Sequence, residues 1–372
     1  MQKVHIWMNF PSHHQSGFFN SLIAAGVELQ VTYYDQITRE RIALGWGNEG
    51  KLAPWECSLS LQGITAIQRL EATADHIQVI PGYGCKLLRE IRDAACRQGL
   101  AWCHWSEASR NGLRWYARVF TKRRHAALIN RHAIGAFAQG MLARIDFLRW
   151  GVRADKIADL AYSVDLASDD TVPDETISEF ANGRGVFLFV GRADHAKALD
   201  VQLRAFALAS RNTDRWCMAV VGGGKQEQYQ EQARCLGVQD RVLFVPAVPW
   251  SRVAGVYRAG NVLLLPSRYE GWGAVVNEGC HYGLAIISSP ASGAAWHLVQ
   301  PGINGFWADP GDADSLAAAM QRYVCGGVAL AERHGARSRA LVADYTCQAM
   351  ATRFLNVIDS WTANAAGDSG ND

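Results

Sequence analysis

Short apolar runs alternate with longer amphipathic stretches along most of the chain. In the first half the apolar runs predict buried strands at Lys3–Met8, Glu28–Tyr34, His76–Ile80 and Ala101–His104. Helix-like segments such as Phe18–Ala25 lie between them. This alternation is typical of a parallel, doubly wound α/β sheet.

The alternation stops in the middle of the chain and then restarts. Residues 162–185 are acidic, contain proline and glycine and have no apolar period, so we place a domain boundary at Asp165. Five strand–helix units follow, which predicts a second Rossmann-like domain over residues 166–345. We expect a C-terminal helix over 346–361 that packs back on the N-terminal domain, residues 1–165, and a disordered tail over 362–372.

Composition narrows the class of protein. The 372 residues are 49% apolar and 19% charged, which is typical of a soluble globular protein of two domains. We find neither a bilayer-spanning run nor a secretion signal, so we expect a cytoplasmic protein. A net charge of +2 gives no reason to expect nucleic acid as a partner, and the nine scattered cysteines show no metal-ligand spacing.

The most informative segment runs from residue 265 to residue 279. A strand ends at Pro266, a loop holds Glu270, and a helix begins near Gly273 and carries Glu278. A helix N-terminus attracts phosphate, so Glu270 is expected beside a bound anion, and Glu278 is placed to accept hydrogen bonds from ribose hydroxyls. The alternative is a pair of solvated glutamates at a helix start.

A second basic segment, Gly191-Arg192 followed by Lys197, comes directly after the first strand of this domain. A guanidinium and an ammonium group that converge on one site suit a diphosphate, although a surface pair on a loop is the alternative. The glycine run at Gly222 is not a Walker A motif, because Lys225 is followed by glutamine. Because no G-x-G-x-x-G follows the first strand either, a P-loop NTPase and an NAD enzyme are disfavoured.

These segments resemble motifs of the retaining glycosyltransferases of family 4, which have the GT-B fold. Glu270 and Glu278 match the E-x7-E motif, and Gly191-Arg192 with Lys197 matches GR-x4-K. Further matches are the glycine turn 222–224, Asp240–Phe244, Gly302–Gly305 and Gly283. The chain departs from the family at Ala198 and Gly279, where Gly and Ala are common, and at His297, where Glu is frequent.

The resemblance implies a GT-B enzyme with two Rossmann-like domains that face each other across a cleft. It would transfer a sugar, with retention, from a nucleotide diphosphate sugar to a glycan or lipid-linked acceptor, in polysaccharide or glycoconjugate biosynthesis and without a metal or other cofactor. The residues it implies at the reacting centre are Arg192, Lys197, Glu270 and His104. Those it implies around the nucleotide sugar are Gly17, Gly191, Gly222, Gly271, Gly273 and Glu278. A nucleotide-sugar epimerase of the same fold and a non-catalytic sugar-nucleotide binding protein are the alternatives.

The N-terminal half offers further candidates. A predicted loop that ends at Gly17 follows the first strand, and its backbone is expected to approach a phosphate or sugar, with His13 or His14 nearby. A surface histidine pair is the alternative. His104 resembles the family's histidine near the reacting centre, with Glu107 beside it; the alternative is a histidine packed at a strand end.

Basic residues recur at helical spacing between Arg110 and His125. They are Arg110, Arg114, Arg118 and Lys122, with aromatic residues beside them. Such a face suits an anionic membrane surface or a lipid-diphosphate acceptor, which would place the protein peripherally on the inner face of the membrane. A solvated helix face is the alternative.

Overall fold

The structure is a computed structural model that describes residues 1–38, 42, 52–82, 84–109, 113–164 and 171–368. The chain divides into two compact units. One contains Met1–Asp165 together with Thr346–Asp372, and the other contains Leu166–Tyr345. Each unit is a parallel sheet covered by helices.

The sheet of the first unit has the strand order β3-β2-β1-β4-β5-β6-β7, and all neighbouring strands are parallel. The strands are β1 Lys3–Met8, β2 Glu28–Tyr33, β3 Glu56–Ser58, β4 Ile77–Pro81, β5 Trp102–Ser106, β6 Gly135–Ala138 and β7 Ile157–Asp159. The helices, numbered along the whole chain, are α1 His13–Ala24, α2 Leu59–Gln62, α3 Ala66–Ala72, α4 Lys86–Arg97, α5 Leu113–His132, α6 Met141–Trp150 and α14 Cys347–Asp368.

Large apolar side chains fill the interior of the first unit. Trp7 on β1, Ile80 on β4 and Trp102 on β5 are completely buried. Strands buried in this way are expected where helices cover both faces of a parallel sheet.

The C-terminal helix α14 packs inside the first unit. Phe354 stacks on Phe137 of β6 with ring centroids 4.9 Å apart. Trp361 lies over Gly135, where a Cβ atom would stand 2.3 Å from the indole ring. Because no larger residue leaves room for that indole, the glycine and the tryptophan form one packing unit.

The predicted disorder of the tail is wrong for residues 362–368, because α14 continues to Asp368. Alanines at 363, 365 and 366 favour helix propagation. The Thr362 hydroxyl also donates to the carbonyl of Ile358 at 3.0 Å, within the preceding turn. Residues 369–372 lie outside the described part of the chain.

The sheet of the second unit has the order β10-β9-β8-β11-β12-β13 and is also parallel. Its strands are β8 Gly185–Val190, β9 Trp216–Val221, β10 Val242–Val245, β11 Val262–Leu265, β12 Ala285–Ser288 and β13 Gly305–Trp307. Its helices are α7 Glu175–Ala181, α8 Leu199–Ala209, α9 Gln226–Cys235, α10 Trp250–Arg258, α11 Ala274–His281, α12 Ala295–Leu298 and α13 Ala313–Val342, which is interrupted at Gly327.

The order of strands reverses in the second sheet between β8 and β11. Successive strands add on one side of β8 as far as β10, and from β11 onward they add on the other side. In open α/β sheets, ligands bind beyond the carboxyl ends of the strands at such a switch point. The loops that follow β8 and β11 carry the motifs singled out in the sequence, so the fold places these motifs where a ligand is expected.

Candidate functional site in the second unit

The loop after β8 presents the first two basic groups. Asp194 caps a 3-10 turn, His195–Lys197, and its carboxylate accepts from the Lys197 amide at 3.1 Å. The other carboxylate oxygen accepts from Nε of Arg192 at 3.1 Å, and the Arg192 side chain is 67% exposed. The turn therefore holds the lysine backbone in place and leaves the arginine side chain largely in solvent.

Lys197 and Glu270 form an ion pair that joins the loops after β8 and β11. The Lys197 ammonium group donates to Oε2 of Glu270, and the two side chains are 20% and 21% exposed. Both partners came from separate motifs in the sequence, and the structure brings them together. A half-buried pair of this kind keeps its charges accessible to a ligand while solvent screening is reduced.

A second ion pair, between Arg268 after β11 and Asp200 in the first turn of α8, was not predicted. Arg268 makes a bidentate contact with Asp200 at 2.8 and 2.7 Å, and its guanidinium also donates to the His195 carbonyl at 2.9 Å. Its amide donates to the Ala196 carbonyl at 2.8 Å. The arginine lowers the pKa of the Asp200 carboxyl. In the sequence Asp200 was indistinguishable from an ordinary acidic residue in a first helical turn.

The Glu270 loop is also fastened to the segment after β12. The Glu270 amide donates to the Ala291 carbonyl at 3.0 Å, and the Ala294 amide donates to the Trp272 carbonyl at 2.8 Å. At Gly293 a Cβ atom would lie 2.3 Å from the carbonyl oxygen of Gly271. These contacts fix the loop that leads into Gly273, the residue before α11.

Glu278 is buried inside α11, with 2% of its surface exposed. The Tyr257 hydroxyl of α10 donates to its Oε2 atom, and Tyr257 stacks on Tyr282 with centroids 5.6 Å apart. Burial raises the pKa of Glu278 to about 7, against the opposing effects of the Tyr257 hydrogen bond and the Lys197 charge. The alternative of a solvated glutamate is thus excluded for residue 278, whose carboxyl group is buried in α11. Tyr257 escaped the sequence analysis because its position in α10 is indistinguishable from a core position.

The glycine turns after β8 and β9 touch each other. Gly191 and Gly222 have φ values of 145° and 149°, and a Cβ atom at residue 222 would stand 1.8 Å from the Gly191 carbonyl oxygen. Only glycine at residue 222 permits this approach. The structure therefore brings together two of the predicted nucleotide-binding glycines.

Two residues that depart from the family pattern, Ala198 and His297, have distinct local structures. Ala198 adopts a left-handed conformation with φ of 56°, where the family commonly has glycine, at a cost of about 1 kcal/mol. His297 packs its ring against Trp272 of the Glu270 loop at 5.2 Å. His297 thus supports the loop through a ring contact.

Two predicted site residues of the first unit are corrected. His104 is completely buried on β5, with its Nε2 atom 2.9 Å from the Ser106 hydroxyl and its ring 4.8 Å from that of His125. Burial lowers its pKa to about 3, so the ring is neutral, and its packing corresponds to the alternative of a histidine buried in a strand. Gly17 lies inside α1, because Ser12 caps that helix at its start, and it is not in a loop.

The predicted basic face is corrected as well. Lys122 of α5 is 1% exposed, forms an ion pair with Asp146 at 3.7 Å and donates to the Ser109 hydroxyl. His125 is likewise buried, and residue 110 lies outside the described part of the chain. The exposed residues of this helix include Phe120, with 79% of its surface exposed, and the arginines 118, 123 and 124.

In the described ranges, no three His, Cys, Asp or Glu side chains converge as metal ligands would. No described helix is both long and apolar enough to cross a bilayer.

Two parallel, doubly wound units of this topology define the GT-B class, and solved structures of that class superpose on nearly the whole chain. HepE of Anabaena in complex with UDP gives a TM-score of 0.74 at 16% identity, covering 97% of this chain and 100% of HepE. The lipopolysaccharide outer core galactosyltransferase WaaB gives 0.72 at 19% identity, covering 97% and 99%. At such identities the likeness shows the fold, which is GT-B.

Residues 173–340, which lie within the second unit, match the family model described as Glycosyl transferases group 1. The lipopolysaccharide 1,6-galactosyltransferase of Salmonella typhimurium is 32% identical over 146 residues, 38% of this chain and 40% of that protein. The D-inositol 3-phosphate glycosyltransferase of Streptomyces griseus is 35% identical over 163 residues, 41% of this chain and 34% of that protein. The chain thus spans less than half the length of either relative.

Proposed function

We propose that this protein is a retaining glycosyltransferase of family 4 that moves a sugar from a nucleotide diphosphate sugar to a glycan or lipid-linked acceptor. The observation that carries the proposal is the Lys197–Glu270 pair, which joins the loops after β8 and β11 at the switch point of the second sheet. The family match of the second unit and the named activities of its relatives support it.

The diphosphate of the sugar donor is assigned to the basic side of this site. Arg192 and Lys197 would neutralise the charge that develops on the departing phosphate oxygen, together with the positive dipole end at the start of α11. We propose that these fixed charges take the place of a divalent cation. Glu270 would hold hydroxyls of the transferred sugar, and Glu278 would hold the ribose.

Retention then follows a front-face course in this proposal. A double-displacement mechanism needs two carboxyl groups that flank the anomeric carbon, and Glu278 is assigned to the ribose end. The acceptor hydroxyl would attack from the face that the phosphate leaves, and the departing phosphate oxygen would accept its proton. The new glycosidic bond forms as the bond from the anomeric carbon to the phosphate oxygen breaks.

The first test is a thermal-shift screen of the full chain against UDP-, GDP-, ADP-, CMP- and dTDP-sugars, with and without EDTA. A nucleotide that binds the folded state raises the melting temperature by mass action. We expect stabilisation by one nucleotide family that EDTA does not abolish. Stabilisation that disappears with EDTA would contradict metal independence, and no shift with any of them would contradict the assigned site.

The second test measures sugar transfer with the donor so identified. Lys197→Ala is expected to lower turnover by at least about a hundredfold, because it removes a charge aimed at the leaving group. Lys86→Ala is the matched control, since Lys86 is an exposed lysine of α4. Conversion of the sugar nucleotide in the absence of acceptor would favour an epimerase, and binding without turnover would favour a non-catalytic binding protein.

The acceptor side is assigned to the first unit, with α5 as a peripheral membrane contact. Phe120 is exposed and has exposed arginines at residues 123 and 124 on the next turn, a combination suited to an anionic lipid surface. Sedimentation with phosphatidylserine vesicles should be reduced by Phe120→Ala. If the same fraction of protein sediments with neutral phosphatidylcholine vesicles as with phosphatidylserine vesicles, the proposed contact with an anionic surface is wrong.

A further inference from the structure

A cavity of about 700 Å³ opens at the amino ends of β8 and β9, within the second unit. Its walls come from the turn after α7, the start of β8, the turn into β9 and the interruption of α13. Pockets of this volume are typical of small-molecule sites. The six residues of β8 put about 20 Å between this end of the sheet and the switch point, so a nucleotide sugar bound there would not fill the cavity.

Two arginines stand next to each other in the wall of this cavity. Arg184 and Arg215 directly precede β8 and β9, whose first residues, Gly185 and Trp216, are paired. The Gly185 amide also donates to the Arg215 carbonyl at 2.9 Å. Like charges at neighbouring positions of two strands repel each other. Asp214 is the third charged residue of the wall, so its charges sum to +1, and an anion would relieve the repulsion.

The side chain of Arg184 is held in place by the last turn of α7. Its Nε donates to the Ala181 carbonyl at 3.0 Å, and its Nη2 donates to the Phe180 carbonyl. The guanidinium also lies 5.0 Å from the centroid of the Phe180 ring. A guanidinium has further N–H donors on Nη1, which an anion can use. Because this group is already fixed, little side-chain entropy is lost when it binds a ligand.

Another part of the wall is apolar. Val324 and Val328, both half-buried, flank the interruption of α13 at Gly327. Gly327 has φ of 68° and ψ of −177°, a combination that is essentially restricted to glycine. The exposed thiol of Cys325 belongs to the same wall. The cavity therefore combines a positive region with an apolar one.

We propose that this cavity binds a small organic anion, a phosphate or carboxylate group joined to an apolar ring. Arg184 and Arg215 bind the anionic group, and Val324 and Val328 pack against the ring. A phosphate binds more tightly than a carboxylate, because it offers more oxygens to two guanidinium groups. Since the cavity lies at the other end of the strands from Lys197 and Glu270, the inference does not rest on the proposed function.

The test measures how fast iodoacetamide alkylates Cys325 in the full chain, read by mass spectrometry of its peptide. Phenyl phosphate, benzoate, inorganic phosphate and benzyl alcohol are added separately at constant ionic strength. Cys235 is the internal control, because it is also exposed but does not line the cavity. We expect phenyl phosphate to slow the alkylation of Cys325 in a saturable way, and benzoate to do so at higher concentration. Inorganic phosphate and benzyl alcohol, which each lack one half of the ligand, should protect least.

Variants of the charged wall separate specific binding from a general effect. Arg215→Gln and Arg184→Gln should each weaken protection by phenyl phosphate by about tenfold or more, since each removes charge-assisted hydrogen bonds. Arg184 also closes the last turn of α7, so Arg215→Gln, at an exposed position, carries the test if the other variant does not fold. Asp214→Asn should strengthen protection, because it removes the negative charge. Arg211→Gln is the matched control, at an exposed arginine outside the cavity.

Three results would overturn the proposal. Phenyl phosphate could leave the alkylation rate of Cys325 unchanged, or slow Cys235 to the same extent. It could also protect Cys325 in Arg215→Gln as well as in the parent. Protection by benzyl alcohol equal to that by phenyl phosphate would show that the arginines do not bind the ligand. Because alkylation needs neither a sugar donor nor turnover, these outcomes are independent of the transfer assay.

Discussion

The buried carboxyl group of Glu278 is expected to destabilise the protein at neutral and alkaline pH, and Glu278→Gln should relieve that cost. Its pKa is about 7 in the folded chain, against an ordinary value of 4.5. A carboxyl group whose pKa is raised by folding binds its proton more tightly in the folded state. Its contribution to stability is therefore fully present below pH 4.5 and is lost as pH rises through 7.

The magnitude follows from the two pKa values. The shift from 4.5 to about 7 corresponds to about 3 kcal/mol of unfolding free energy lost between pH 4 and pH 8, at 1.36 kcal/mol per pKa unit. Glutamine has nearly the same shape and does not titrate, and its amide oxygen can accept from Tyr257. We compare the free energy of unfolding of the variant with that of the parent at each pH. This difference should shift in favour of the variant by about 3 kcal/mol between pH 4 and pH 8.

The assay is equilibrium guanidinium unfolding of the full chain at a series of pH values, with each variant compared with the parent at the same pH so that shared groups cancel. Tyr257→Phe should have the opposite effect: relative to the parent, this variant should lose stability as the pH rises from 4 to 8. It removes a hydrogen bond that stabilises the ionised carboxylate, and hydrogen bonds to charged groups contribute about 1.5–3 kcal/mol. The pKa of Glu278 should then rise further.

Parallel stability curves for the parent and Glu278→Gln between pH 4 and pH 8 would refute this reasoning, since they would mean that Glu278 titrates alike in the folded and unfolded states. A loss of nucleotide binding in Glu278→Gln, together with the gain in stability, would in addition support its assignment to the ribose.

Two further predictions concern backbone and buried charge. Gly222→Ala should destabilise the fold by about 2 kcal/mol or more, because the new Cβ atom would lie 1.8 Å from the Gly191 carbonyl oxygen. Gly223→Ala is the control: a Cβ atom there has nothing within 4 Å, so the guanidinium midpoint should change little. Asp146→Asn should cost about 3 kcal/mol, because it leaves the buried ammonium group of Lys122 without this counter-charge. An unchanged guanidinium midpoint for Asp146→Asn would show that the Lys122–Asp146 ion pair does not contribute to the stability of the fold.

The fold was predictable from the sequence because strand and helix periods are local. The apolar runs at Lys3–Met8 and Ala285–Ser288 are buried strands in the structure, as expected. The sequence indicated Lys197 and Glu270 as members of two separate motifs, but it did not predict their ion pair. The two residues are 73 positions apart, and their contact depends on the order of the strands.

The residues that sequence analysis missed or misplaced are those whose role depends on what packs against them. Arg268 is one of several arginines until Asp200 is found opposite its guanidinium group. Lys122 has the spacing of a solvated face, but Asp146 on a neighbouring helix draws it into the interior. The sequence predicts a strand that ends at His104, but β5 continues to Ser106, and α5 and α6 cover His104 with His125 and Phe147. No periodicity of a single segment encodes such contacts.

The unfavourable features of the two units differ in kind, and the difference supports the proposal that the second unit binds the nucleotide sugar. In the first unit the buried ammonium group of Lys122 has a counter-charge in Asp146. In the second unit, Ala198 is left-handed next to Lys197, and Glu278 is buried at a cost that grows as it ionises. Both costs fall beside the loops at the switch point, and folding alone gives no reason to retain them there. Local strain and a buried titratable group at one edge are expected where a ligand supplies compensating contacts, which supports the proposal that the second unit binds the nucleotide sugar.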